Sequence, residues 1–144
     1  MMLRDFFVGI FVCTTFCFLV GCSPNSKVTG KVTFEDGSPL TVGEVIFESE
    51  TLQARGTIDT SGKYTMGTIK EKDGVPLGKY RVYIGGAAEP TGNMIPYGGG
   101  RDSTATRPEM RPLIGSKFFL PASSGLTCDV NGPTVFDITV TKPD

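Results

Sequence analysis

The chain contains no histidine, so its chemistry rests on carboxylates, tyrosines and four cysteines. Without imidazole there is no Ser–His or Cys–His nucleophilic pair, no histidine metal site and no neutral-pH proton shuttle of the commonest kind. Carboxylates cluster once. Between Phe34 and Ala54 stand Glu35, Asp36, Glu44, Glu48 and Glu50, with no Lys or Arg among them. Period-two spacing puts Glu44, Glu48 and Glu50 on one face with Ile46. Such a strip could offer oxygen ligands to calcium or meet a basic partner. The plainer reading is a solvated outer face, whose charges also deter sheet-to-sheet aggregation. The Gly/Pro-rich stretch 86–120 further on carries Arg101, Arg107, Arg111 and Lys117 against Asp102 and Glu109, a weak counterweight.

Two further residue types bear on chemistry. Cys128 alternates with Leu126 and Val130 against Thr127 and Asp129, which places the thiol on an apolar strand face as a small hydrophobe. A reactive or metal-binding lone thiol is the alternative. A carbohydrate-binding face calls for exposed aromatic platforms, and the chain has no Trp. Tyr83 and Tyr97 are the tyrosines left over from inward positions. Tyr83, alternating with Lys79 and Arg81, is the better candidate.

Upstream, an apolar run from Phe6 to Val20 ends in Leu19-Val20-Gly21-Cys22 and gives way to Ser23-Pro24-Asn25-Ser26. The run is shorter than the roughly 20 residues of a membrane-spanning helix, and Arg4 supplies a basic leader partly offset by Asp5. Leu19, Val20, Gly21 and Cys22 resemble the lipobox of bacterial lipoproteins. The resemblance implies a signal helix over 1–21, cleavage before Cys22, acylation of that cysteine and a tether over 22–27. Membrane attachment would run through two or more acyl chains, enough for durable anchoring at about 0.8 kcal/mol per buried methylene. Ser23 after the cysteine fits an outer-membrane or periplasmic-face location in the cell envelope. Cys13 and Cys17 leave with the leader, so no internal disulfide can form.

Seven short alternating segments follow: Lys27 to Glu35, Glu44 to Glu50, Gln53 to Asp59, Lys63 to Thr68, Lys79 to Ile84, Gly125 to Val130 and Thr134 to Thr141. Turn residues separate them, among them Asp36-Gly37-Ser38-Pro39, Asp59-Thr60-Ser61-Gly62 and Asn131-Gly132. The pattern predicts an all-β domain over 28–144, a seven-stranded antiparallel two-sheet sandwich. Residues 86–120, rich in Gly and Pro, predict an irregular excursion with no regular ladder through most of its length, part of it folding back on the sandwich edge.

Three stretches are similar to the carboxypeptidase regulatory-like (transthyretin-like) domains common in planctomycete surface lipoproteins. They are Val28–Phe34 with Asp36-Gly37-Ser38-Pro39-Leu40, then Asp59-Thr60-Ser61-Gly62-Lys63-Tyr64, then Val75-Pro76-Leu77-Gly78-Lys79-Tyr80-Arg81-Val82. Residues 124–138 also look like the closing hairpin of that group. The resemblance implies a transthyretin-like fold in which Asp59, Gly62, Tyr64, Pro76, Gly78 and Tyr80 shape turns and core contacts. It implies no catalysis, since the transthyretin-like hydrolases lean on histidines.

The expected protein is therefore a non-enzymatic, lipid-anchored envelope module with a structural or interaction role. It has no cofactor and no metal, its partner is the membrane with a glycan or protein as second partner, and nothing in its net charge of -1 calls for nucleic acid. The alternative is a surface lipoprotein binding a glycan, peptide or calcium through the 86–120 loop.

Overall fold

A computed structural model describes residues 25–97 and 105–143. The expected signal helix, the lipobox and Cys22 lie outside the described residues. Within them the chain is almost wholly β. Ten strands run in order: β1 (Val28–Phe34), β2 (Glu44–Glu48), β3 (Gln53–Thr57), β4 (Lys63–Thr65), β5 (Gly78–Gly85), β6 (Ala88–Pro96), β7 (Thr106–Pro112), β8 (Leu126–Val130), β9 (Thr134–Val135) and β10 (Ile138–Val140), with a 3-10 turn at Ser116–Phe119.

Two sheets face each other in a sandwich-like arrangement. One has β1 at its centre, flanked by β4 and by β9 and β10; the other has the order β3-β2-β5-β8. Alternation explains the packing: inward residues of each strand meet between the layers. Val28, Val32, Tyr64, Ile138 and Val140 come from the first sheet, and Val45, Phe47, Ala54, Tyr80, Val82, Ile84, Cys128 and Val130 from the second. The Phe47 ring meets Phe136 edge-on across the layers at 5.9 Å between centroids. The core lies wholly between Val28 and Val140.

Three expectations need correction. First, the described residues hold ten strands, and the sandwich is not purely antiparallel, because β9 and β10 run parallel to β1. Second, residues 125–141 form no hairpin. β8 joins β5 in one sheet, whereas β9 and β10 cross to the other. One register unites the two short strands, Thr29 opposite Val135 and Val32 opposite Ile138. They are split because the ladder bows at Phe136-Asp137. There the Asp137 carboxylate accepts the Lys31 N–H (2.8 Å), standing in for a backbone carbonyl.

Third, the excursion carries a ladder. Strands β6 and β7 pair only with each other and form an arm, with a bulge between Pro90 and Met94. Its prolines do not break pairing because of where they fall. The Leu113 N–H donates to Ala87 O and the Tyr97 N–H to Ala105 O, which fixes odd-numbered pairs as hydrogen-bonded. Pro90, Pro96, Pro108 and Pro112 occupy the alternate pairs, where the nitrogen faces away from the partner strand and no ladder bond is due. Beyond the arm, Ile114 and Phe118 are buried and the Gly115 N–H donates to Thr141 O (2.9 Å), so residues 113–119 fold back on the sandwich.

The two poles of the sandwich differ. At one, Ser26 bridges to Val75 and the chain enters β1. At the other, where β5 ends at Gly85 and β10 runs out at Thr141, the arm departs.

Candidate functional site

The motif residues resolve into turns and core contacts. Asp59 closes the β3–β4 turn: its carboxylate accepts the Ser61 N–H (2.7 Å), the Ser61 hydroxyl (2.7 Å) and the Lys63 N–H (3.0 Å). These bonds, led by the Ser61 hydroxyl, hold the carboxyl below its ordinary range. Gly62 sits at φ +81, and a Cβ there would lie 2.7 Å from Val32 O. Only glycine meets both conditions. Tyr64 is buried, and its hydroxyl donates to the Phe136 carbonyl. Burial pushes the phenol well above its usual value. Tyr80 is also buried, its hydroxyl donating to Pro76 O (2.8 Å) across the Pro76–Gly78 entry into β5. No described polar side-chain atom is left buried and unpaired.

The outer face of the second sheet is where Tyr83 stands. Register sets Glu48 beside Gln53 and Arg81, and Ile46 beside Arg55 and Tyr83. The Gln53 amide donates to the Tyr83 hydroxyl (2.7 Å), and Tyr83 in turn reaches Glu48 at 3.4 Å. Arg55 lies 2.8 Å from Gln53 Oε1 and 3.4 Å from Glu44, and Arg81 lies 3.4 Å from Glu48. Partial burial, then the Glu48 charge, raise the Tyr83 phenol. Thus Glu44 and Glu48 of the acidic strip are answered by arginines from the neighbouring strands. Ile46, expected on the solvated face, is 5% exposed because its two cross-strand neighbours flank it. The signal for the Glu44 pair was the β2–β3 turn at Ser49–Leu52: once it is placed, Arg55 falls diagonal to Glu44.

Beside this network a groove is lined in part by Glu48, Glu50, Lys79, Arg81, Thr127 and Asp129. Its charges are of both signs, and no residue of 86–120 lines it. A second, largely apolar groove lies at the arm's root between Phe34, Pro112, Leu113 and Pro143. Tyr97 follows β6, with Arg107 stacked over its ring at 5.4 Å. Tyr83 therefore stands on the second sheet and Tyr97 just past the end of the arm strand β6.

Cys128 is 5% exposed, and burial raises its thiol pKa. No group of three or more His, Cys, Asp or Glu side chains that could hold a metal exists among the described residues. No helix among them is long and apolar enough to cross a membrane.

The arm is the element that the sequence did not announce. One face carries Pro90, Met94, Pro96, Pro108 and Met110, all exposed. The opposite face carries Glu89 paired with Arg111, and Glu109 accepting from Thr91 (2.9 Å) and Asn93 (3.0 Å). Those two bonds, Asn93's first, hold the Glu109 carboxyl below its usual range. Prolines confined to even-numbered positions (Pro90, Pro96, Pro108 and Pro112) were the available signal.

No protein-family model matches the chain, and no curated protein does. Among solved structures it is similar to a DUF3823 family protein from Bacteroides ovatus ATCC 8483. Identity is 21% and the TM-score 0.46, over 83% of this chain and 45% of that one. The chain thus spans less than half that protein's length, and a likeness at this score carries no argument.

Proposed function

We propose that the chain is a lipid-anchored, non-enzymatic module of the cell envelope, held by acyl chains on Cys22 and serving a structural or interaction role on the outer-membrane or periplasmic face. The observation that carries this reading is the small-residue-then-cysteine sequence Leu19-Val20-Gly21-Cys22 at the end of an apolar run. The tether agrees with it. Ser26 is already docked at Val75, so about four residues, at most ~14 Å of extended chain, would separate the lipid from the domain.

The carboxypeptidase regulatory-like assignment belongs to the same proposal. It is supported by the roles of Asp59, Gly62, Tyr64, Pro76 and Tyr80, each of which shapes a bend or anchors a ring. A module of this kind has no call for a nucleophile–base pair, and the sequence without histidine supplies none of the usual ones.

The test is metabolic labelling of cells producing the full chain with a palmitate analogue, comparing wild type with Cys22→Ala. Label and membrane retention are expected in the wild type and lost in the variant. Label retained by Cys22→Ala would overturn the anchor.

A further inference from the structure

We propose that the β6–β7 arm is a self-association element, docking its proline–methionine face against the same face of a second copy of this chain. The proposal rests in part on the anchored reading above, because the anchor sets the copies side by side.

Four observations carry it. The arm is amphipathic: Pro90 pairs with Met110 and Met94 with Pro108 on one face, and the two methionines are 58% and 53% exposed. The largest exposed apolar patch of a domain is often a contact site, and methionine side chains adapt to what they meet. The arm's edges are blocked, since four of the outward-facing backbone nitrogens belong to prolines. Strand addition to either edge is therefore disfavoured, and contact falls to the face.

The third observation is charge. Among the described arm residues, Glu89 and Glu109 balance Arg107 and Arg111, and all four are engaged within the arm. Two arms related by a two-fold axis thus meet without net repulsion. A neutral arm also lacks the basic face that draws a segment to an anionic lipid surface. The fourth is place. The arm leaves the pole opposite the Ser26–Val75 entry point, so anchored copies would hold their arms clear of the membrane at a common height.

Size decides the strength. Seven residues at ~3.4 Å make a face ~24 Å long, and two strands with their side chains make it ~12 Å wide. Face-to-face packing then buries about 600 Å² in total, below the ~1,200 Å² of a stable interface. The contact is weak in dilute solution and is sustained where copies share one membrane, which raises their effective concentration.

The test is cysteine cross-linking of the full chain in bacterial membranes. Met110→Cys on the apolar face is compared with Arg107→Cys on the polar face, using a short bis-maleimide. Palmitate-analogue incorporation is read on the same samples. The expected result is several-fold more dimer with M110C than with R107C, abolished when Met94→Asp is added, with acylation unchanged. Equal yields from the two positions, or indifference to M94D, would overturn the arm contact. So would an M110C product of some other mass without dimer. The same variants lacking residues 1–21 and carrying Cys22→Ser, held to nickel-chelating vesicles by an N-terminal histidine tag, separate the two readings. Cross-linking there without acylation in cells keeps the arm contact and removes the anchor.

Discussion

The Tyr64 hydroxyl donates to the carbonyl of Phe136, passing over Gly30, its own cross-strand partner. A Cβ at Gly30 would lie 1.9 Å from Phe136 O and 2.8 Å from the Tyr64 hydroxyl. Tyrosine, glycine and the bowed final strand therefore form one unit: the missing side chain admits the carbonyl, and the phenol satisfies it.

Tyr64→Phe leaves that carbonyl without its donor and should cost about 1–2 kcal/mol. Gly30→Ala forces backbone apart and should cost more than about 3 kcal/mol. Urea unfolding of the two variants checks both. Equal stabilities would contradict the close approach.

Tyr83 makes the contrast. Its phenol sits in a partly exposed network on the outer face of the sheet, so Tyr83→Phe should change stability by no more than about 0.5 kcal/mol. The paired arginines behave alike: Arg55→Ala and Arg81→Ala should each cost about 0–1 kcal/mol. Thermal midpoints measured at low and high salt should move little in all three.

Acid should weaken the fold through its turns. Asp59 is held below the ordinary carboxylate range by Ser61 and Lys63, and Asp73 by the N–H groups of Thr68, Lys70 and Ile69. The unfolded chain binds protons more readily at these groups, so stability falls as pH drops. The loss begins near the unfolded carboxylate pKa of about 3.9 and continues below it. Asp59→Asn should lower the thermal midpoint at neutral pH and flatten its decline in acid. A decline as steep as wild type's would remove Asp59 from the cause.

Cys128 should resist alkylation in the native state, since the thiol is buried and its ionisation is disfavoured. Mass spectrometry of the Cys128 peptide after a maleimide pulse should show labelling only once denaturant opens the domain. Fast native labelling would mean that β8 frays from β5.

The first half of the sandwich was legible because its strands alternate cleanly. Val28, Val32, Val45, Phe47, Tyr80, Val82 and Ile84 all face inward where period two puts them. Crossover was not legible, because Asn131-Gly132 is as good a hairpin turn as a link between layers, and only tertiary pairing decides. The arm was hidden by its prolines. Composition reads them as ladder breakers, whereas their shared even-numbered positions, combined with the pairing register, make them tolerable. As for the candidate site, the acidic strip read as unanswered because Arg55 is set against Glu44 only once the β2–β3 turn is placed, and Arg81 reaches Glu48 from a strand 33 residues on.

The pairing of β1 with β10 joins residues 106 positions apart, as the Lys31–Asp137 bond records. The opening strand therefore waits, half-edged, until β9 and β10 have been made. Long-range closure of this sort slows folding. Were the chain threaded through a translocation channel, as the proposed anchor requires, such tardiness would be an advantage: the nascent polymer would stay threadable until β10 arrived to lock it.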